Sequence, residues 1–508
     1  MVRQLLSLAS LALLAACANG SAPASSPAAP SSSIAGTRGV SQGGPQDIAQ
    51  FRAIVAAGGV PSPSTLDATG FFAEHALDLP PATCGSAVCL NPMLAVAPRF
   101  NGDNWTMGFV ALSTAVDPET LPRAPLHLVV AVTTSAAYSG LSRGLASVFA
   151  GLRADDRVSL IVPGEYPRVA VHGARPDDPR LTVVAPGAAL EGALYETLAE
   201  ASRAIDTLEG FTGASRVILV TGGAASGFAG DGARIVALGE AMVRRGVALS
   251  VIGAGRNYDA TVPAALGSLG AGTYAYATSD ADMENILRAE GETRLTPLAV
   301  DFRLRVTAAR GYHIGRIYGV RRAKVEGGVA GLDAPALFIG SRMGAHDVGG
   351  GSRGGGGGLF VELIADASTG VGADMPVFRA EAVWRDPRDG AMAMSSTEAR
   401  NALAPGQNPE GMWPAFSDEG RAKAFMMLNM YLALNAAVRF YDDGDCARAQ
   451  GVIDMMDTSV EVWNRRLPDP DLEADAQLLQ SLRNNLATRC RATTPVPPIT
   501  YSLGCFYS

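Results

Sequence analysis

Several stretches of this chain place serine, histidine, glycine or cysteine where they could do chemistry. Gly140-Leu141-Ser142-Arg143-Gly144 has the Gly-x-Ser-x-Gly form of a hydrolase nucleophile elbow, with His172 and His313 downstream as candidate bases. An elbow needs its serine on the tight turn between a strand and a helix. Ser142 falls roughly ten residues beyond the nearest apolar strand, inside an expected helix, so chance occurrence in a Gly/Ser-rich chain is the better reading. Gly349 to Gly358 holds eight glycines around Ser352-Arg353. A phosphate cradle would run on into Gly-Lys-Ser/Thr and open a helix, and neither follows, so a hairpin tip is expected. Gly253-Ala254-Gly255 lacks the third glycine of a dinucleotide loop, and no two histidines stand at metal-ligand spacing. No cofactor is expected.

Six cysteines occur: Cys17, Cys84, Cys89, Cys446, Cys490 and Cys505. In an exported chain disulfides are the default. Cys84 and Cys89 can close a small local loop, whereas zinc would need two further ligands that no nearby histidine supplies. Cys446 and Cys490 fall at the start of one expected helix and the end of the next, so an antiparallel hairpin would join them. Cys505 is the odd one, and it could replace either partner of that second pair.

The elements that must position these residues alternate. Leu126–Val132 (Leu-His-Leu-Val-Val-Ala-Val) reads as a buried strand, and further strands are expected at 157–162, 168–172, 216–221, 248–253 and 273–277. Helices are expected near 140–152, 189–206, 231–245, 259–269 and 280–291. Such alternation means an α/β fold with a doubly wound, mainly parallel sheet, with 168–172 as its antiparallel edge. Before it, Gln46 to Val60 carries Ile48, Phe51, Ile54 and Val55 on one helical face, and a less regular segment begins at Phe71. Leu94 to Ala97 and Met107 to Leu112 read as strands of a small β region shared with residues 296–385. Residues 418–490 read as helices, with a stripe through Phe425, Met426, Leu428, Leu432, Val438 and Phe440. A turn at Asp443-Gly444-Asp445 separates two of them, and Asp469 or Asp471 is the expected cap of a third.

Leu152 to Ile161, Val217 to Gly223, Gly246 to Gly255 and Gly270 to Tyr274 follow one another in the order and spacing of a von Willebrand factor type A domain, which the chain resembles. It also resembles bacterial lipoproteins in which a leader such as Gly44 to Arg52 precedes that domain, although the three-helix segment with its cysteines departs from their usual C-terminal half. Most members of the family bind a divalent metal through three loops at the strand ends. The resemblance implies Asp-x-Ser-x-Ser in the first loop, where this chain has Thr133, Ser135 and Ala137. It implies threonine after Gly187, where Ala188 stands, and aspartate after Thr221, where Gly222 stands. Mg²⁺ demands hard oxygen ligands with negative charge. The degenerate positions Thr133, Ser135, Ala137, Ala188 and Gly222 are therefore expected to hold no metal. A partner could still dock at the crevice beyond the strand ends.

Arg3, the apolar run Leu5 to Ala16 and Leu14-Ala15-Ala16-Cys17 read as a signal peptide that resembles a bacterial lipobox, with Cys17 lipidated by palmitate-type acyl chains. Ala18 after the cysteine implies the outer membrane of a Gram-negative bacterium. The expected organisation is signal peptide 1–17, disordered tether 18–44, leader and β segment 45–124, A-like domain 125–292, β-rich region 293–390 and helical region 391–508. The net charge of −8 and the absence of a Lys/Arg-rich patch argue against nucleic acid. The reading is a non-enzymatic, lipid-anchored envelope protein that faces the periplasm or the cell surface and binds a protein partner. Its alternatives are a serine hydrolase using Ser142 and a metal-dependent adhesion module with a non-standard site.

Overall fold

The computed structural model describes residues 37–490 except 102–103, 122, 134–138, 165, 183–193, 223–230, 256–257, 294–295, 321–322, 341–356, 367–373 and 402–418. Cys17, Ser135, Ala137, Ala188 and Cys505 lie outside these residues.

The chain comes in as two short strands, β1 (Arg38–Ser41) and β2 (Gly44–Pro45), that belong to different sheets. This corrects the expected tether, whose last residues are ordered and whose Val40 is fully buried. Four residues in one sheet and two in another leave no period to read. Helix α1 (Ala49–Ala56) buries Phe51 and Val55. The segment expected to be irregular begins as helix α2 (Ala68–Ala73), whose Asp67 cap accepts a hydrogen bond from Gly70 N–H. Strands β3 (Cys89–Pro98) and β4 (Asn104–Thr114) then form an antiparallel hairpin.

The next stretch alternates as expected: β5 (Leu126–Val132), α3 (Ser139–Ala150), β6 (Arg157–Val162), β7 (Arg168–Ala174), α4 (Leu194–Asp206), β8 (Ala214–Thr221), α5 (Asp231–Arg244), β9 (Ala248–Ala254), α6 (Thr261–Gly267), β10 (Thr273–Ala277) and α7 (Asp280–Thr293). The sheet order is β2-β10-β9-β8-β5-β6-β7, parallel throughout except for the edge strand β7. Alternate residues of β5 serve opposite faces. Leu128, Val130 and Val132 pack under α3 and α7, whereas Val129 and Ala131 pack under α4, α5 and α6. Both faces are covered, which is why the strand reads as apolar apart from His127.

A second sheet contains β11 (Ala299–Ala308), β12 (Tyr312–Tyr318), β13 (Lys324–Glu326), β14 (Val329–Ile339), β15 (Gly358–Ala365), β16 (Pro376–Arg385) and β17 (Met392–Arg400). With β1, β3 and β4 it has ten strands, in the order β12-β15-β4-β1-β14-β11-β16-β17, with β3 beside β4 and β13 beside β14. It is the larger sheet, where a small β region was expected. It curls so that β17 runs beside β3. Strand β17 also corrects the expected start of the helical region at 391, because its half-exposed Met-Ala-Met-Ser-Ser-Thr lacks the apolar alternation that marks a strand. Helices α8 (Glu419–Asp442), α9 (Cys446–Asn464) and α10 (Pro470–Arg489) follow. Asp445 caps α9, and Asp469 caps α10 ahead of its first-turn proline. Both disulfides expected from spacing are present, Cys84–Cys89 and Cys446–Cys490.

Gly140 and Gly144 face α7 along one side of α3. A Cβ at Gly140 would stand 1.9 Å from Asp280 O, and one at Gly144 would stand 2.7 Å from Leu287 Cδ1. The two glycines therefore serve close helix packing. Gly144→Ala is expected to cost about 1–3 kcal/mol through overpacking, even though alanine is by itself the better helix former. Ser142→Ala, on the exposed side, should stay within about 0.5 kcal/mol of the wild type in the same denaturant titration.

Candidate functional site

The adjacent parallel strands β5 and β8 bring Thr133 and Thr221 side by side at their carboxyl ends, with Gly222 next. Thr133 N–H donates to Val220 O at 2.8 Å, and Thr133 Oγ1 donates to Thr221 Oγ1 at 2.9 Å. One hydrogen bond thus joins the two hydroxyls at the strand ends. Of the five degenerate positions the structure describes Thr133 and Gly222. Among the described residues no group of three His, Cys, Asp or Glu side chains is arranged to hold a metal. At the end of the neighbouring β9, Gly253 makes room for the Tyr258 ring, whose atoms a Cβ would approach to 2.3 Å. The tyrosine ring of Tyr276 lies 5.1 Å from that of Tyr258, and Tyr276 OH donates to Gly255 O. Packing thereby explains Gly253, whereas Gly255 is explained by its φ of +108°.

The hydrolase residues do not come together. Ser142 lies on the exposed side of α3, within the helix rather than on a strand-to-helix turn. His172 Nε2 lies 3.0 Å from Ala204 O, and His313 Nδ1 lies 2.9 Å from Asp366 Oδ1. The serine that does meet an imidazole is Ser159, whose Oγ is 2.8 Å from His127 Nε2 and accepts a bond from Gly173 N–H. Both side chains are buried inside the sheet. Burial, and then the neighbouring His172, lower the His127 pKa to about 4, so this histidine is a neutral part of the core.

An ionic junction that sequence reasoning missed lies between the leader and the C-terminal helices. A cleft of about 670 Å³ opens over it, lined by Arg52, Glu74, His75, Thr278, Asp282 and Asp471 among others. Arg52 reaches Glu74 Oε2 and Asp475 Oδ1, each at 2.8 Å. Glu74 Oε1 also accepts from Ile48 N–H at 2.8 Å. His75 Nδ1 stands 2.7 Å from Phe71 O and Nε2 stands 2.7 Å from Asp475 Oδ2. A carbonyl and a carboxylate can only accept, so both ring nitrogens carry hydrogen and His75 is an imidazolium. Lys423 Nζ bonds Asp469 at 2.8 Å and Asp471 at 2.7 Å. Asp471 in turn accepts from Ala76 N–H. The available signal was a charge at a core position: Lys423 lies next to the apolar stripe of α8, and Asp475 lies on the face of α10 that carries Leu472, Leu478, Leu479 and Leu482.

No protein-family model matches the chain, and no curated protein matches it. Similar solved structures include a von Willebrand factor type A protein from Catenulispora acidiphila, 14% identical with a TM-score of 0.48, covering 73% of this chain and 87% of that one. Another is the ArnB paralog VWA2 from Sulfolobus acidocaldarius, 12% identical with a TM-score of 0.43, covering 79% of this chain and 98% of that one. The manganese-loaded TRAP protein of Plasmodium vivax is 11% identical with a TM-score of 0.28, covering 56% of this chain and 97% of that one.

The junction ties stability to pH. Burial alone would lower the His75 pKa, but the Asp475 carboxylate more than offsets this and raises it above 6.5. Burial would raise Asp475, yet His75 and Arg52 hold it below 3.8. A raised histidine contributes its full stability below about 6.5 and loses it as pH climbs through the folded-state value. The depressed aspartate contributes above about 3.8 and loses its share as pH falls through its lower folded-state value. Tm is therefore expected to fall on the alkaline side. His75→Gln should lower stability by about 3–5 kcal/mol at pH 6 and remove that part of the alkaline slope. An unchanged slope in the variant would contradict the assignment.

Proposed function

We propose that the chain is a non-catalytic scaffold of the cell envelope, anchored by lipid at Cys17, that binds a protein partner without a metal ion. The observation that carries the metal-free reading is the hydrogen bond between Thr133 Oγ1 and Thr221 Oγ1. A hydroxyl pair offers a hard dication little negative charge, and water would compete well for such a site. The position of Ser142 within α3, away from His172 and His313, weighs against the hydrolase alternative. The outer membrane is the proposed location, on the strength of Leu14-Ala15-Ala16-Cys17-Ala18.

A metal that occupied the strand ends at a hundred times its Kd would add about 2.7 kcal/mol to folding stability. Thermal melts in millimolar Ca²⁺ or Mg²⁺ and in chelator are therefore expected to coincide. A metal-dependent rise in Tm that Thr133→Ala abolishes would favour the adhesion module with a non-standard site. Separately, metabolic labelling with a fatty-acid probe is expected to mark the wild type in the membrane fraction. Cys17→Ser should be unlabelled and absent from that fraction, and membrane retention without label would overturn the lipid anchor.

A further inference from the structure

The two disulfides differ in exposure, loop length and place. Cys446 is half-buried and Cys490 nearly fully buried, and their bond joins residues 44 apart. Cys84 is exposed although Cys89 is buried, a Cβ at Gly85 after it would meet nothing within 4 Å, and the bond to Cys89 spans only five residues. Closing so short a loop restricts the unfolded chain less, and exposed disulfides are the ones that exchange readily with outside thiols.

The short loop also sits where the chain comes into the fold. Cys89 stands opposite Ser113 of β4, and Ser113 stands opposite Gly39 of β1 on its other side. Ala82 N–H, two residues before Cys84, donates to Thr37 Oγ1 at 3.1 Å, so the segment leading into the loop also holds the residue just before β1. Among the described residues, strand β1 pairs Arg38↔Thr114 and Gly39↔Ser113 on one side and Val40↔Ile339 and Ser41↔Phe338 on the other, with Gly340 N–H donating to Gly39 O.

We propose that Cys84–Cys89 is a redox-modification site, opened by a dithiol reductant, whose opening loosens β1 from its sheet. A thiolate of the reductant attacks Cys84 Sγ from the solvent side and forms a mixed disulfide. The Cys84–Cys89 bond breaks, and Cys89 leaves as a thiolate that takes a proton from water. The second thiol of the reductant then attacks its own sulfur in the mixed disulfide, releasing Cys84. Two electrons pass to the cysteine pair, and the reductant leaves as a disulfide. Residues 85–88 are then released from their covalent closure, and the segment before Cys84, with Ala82 bonded to Thr37, is no longer tied through Cys84 to β3.

The test is a dithiothreitol titration of the folded, full mature chain, with alkylation of the thiols and peptide mass spectrometry at each step. Cys84 and Cys89 are expected to be alkylated together while Cys446 and Cys490 remain bonded. At that stage hydrogen exchange of the Arg38–Ser41 amides should be roughly tenfold faster or more, while exchange in β5 and β8 stays unchanged. The double variant Cys84→Ser/Cys89→Ser should show the same pattern without reductant. If both disulfides yield together, or if selective reduction leaves the β1 amides as protected as before, the proposal fails. Should the variant not fold, reduction of the wild type decides alone.

Discussion

One stretch of backbone, Arg38–Pro45, supplies a strand to each of the two sheets. Its first half is hydrogen-bonded between β4 and β14, and its second half is hydrogen-bonded to β10. Gly340 N–H donates to Gly39 O at 2.7 Å in one sheet. Gly44 N–H donates to Gly272 O at 2.9 Å, and Gln46 N–H to Tyr274 O at 2.8 Å, in the other. Buried backbone groups must find partners, so the crossing at Gln42–Gly43 fixes where one sheet stands relative to the other. The approach is close enough to require glycine: Gly43 has φ +78°, and a Cβ there would lie 2.4 Å from Gly272 O. Beyond this crossing the leader reaches the cleft, where Ile48 N–H donates to Glu74 Oε1.

The ionic junction finishes what the crossing begins. Three cations, Arg52, His75 and Lys423, meet four carboxylates, Glu74, Asp469, Asp471 and Asp475, supplied by α1, α2, α8, α10 and their caps. Removing such groups from water costs several kcal/mol per ion, so the network is poor evidence of net stability. It is better understood as a condition on arrangement, because Asp475 meets Arg52 and His75 only when the leader and the C-terminal helices are docked together. A second buried set works likewise at the other end of the parallel sheet. Arg216 on β8 meets Glu290 of α7 and Ser250 of β9, and its guanidinium lies 5.6 Å from the centre of the Phe338 ring of β14.

How much of this was legible depended on how each element is stabilised. Strands β5, β6, β8, β9 and β10 bury side chains on both faces, so their apolar runs announce them. Asp469 was read as a candidate cap and is one. The fold of β1 and β2 was illegible because backbone pairing, rather than side-chain burial, holds most of it. The junction was illegible for a related reason. A buried charge is recognisable only beside its partner, and Arg52 and Asp475 are 423 residues apart. Lys423 and Asp475 did stand among apolar residues, but each looks like an exception until the other elements are in place.

The same reasoning bears on the strand ends. The core of the parallel sheet is built from Leu128, Val130 and Val132 on one face and Val129 and Ala131 on the other. All five belong to β5 and precede the first loop, which begins at Thr133. Oxygen ligands there can be present or absent at little cost to the fold, so a recognisable scaffold carries no guarantee of metal chemistry. Gly140 and Gly144 illustrate the converse. They look like half of a catalytic motif, yet their conformation and neighbours are dictated by α7 pressing on α3. In this chain the apparent chemistry of the glycines is packing, and the charge chemistry that matters structurally lies where no motif points.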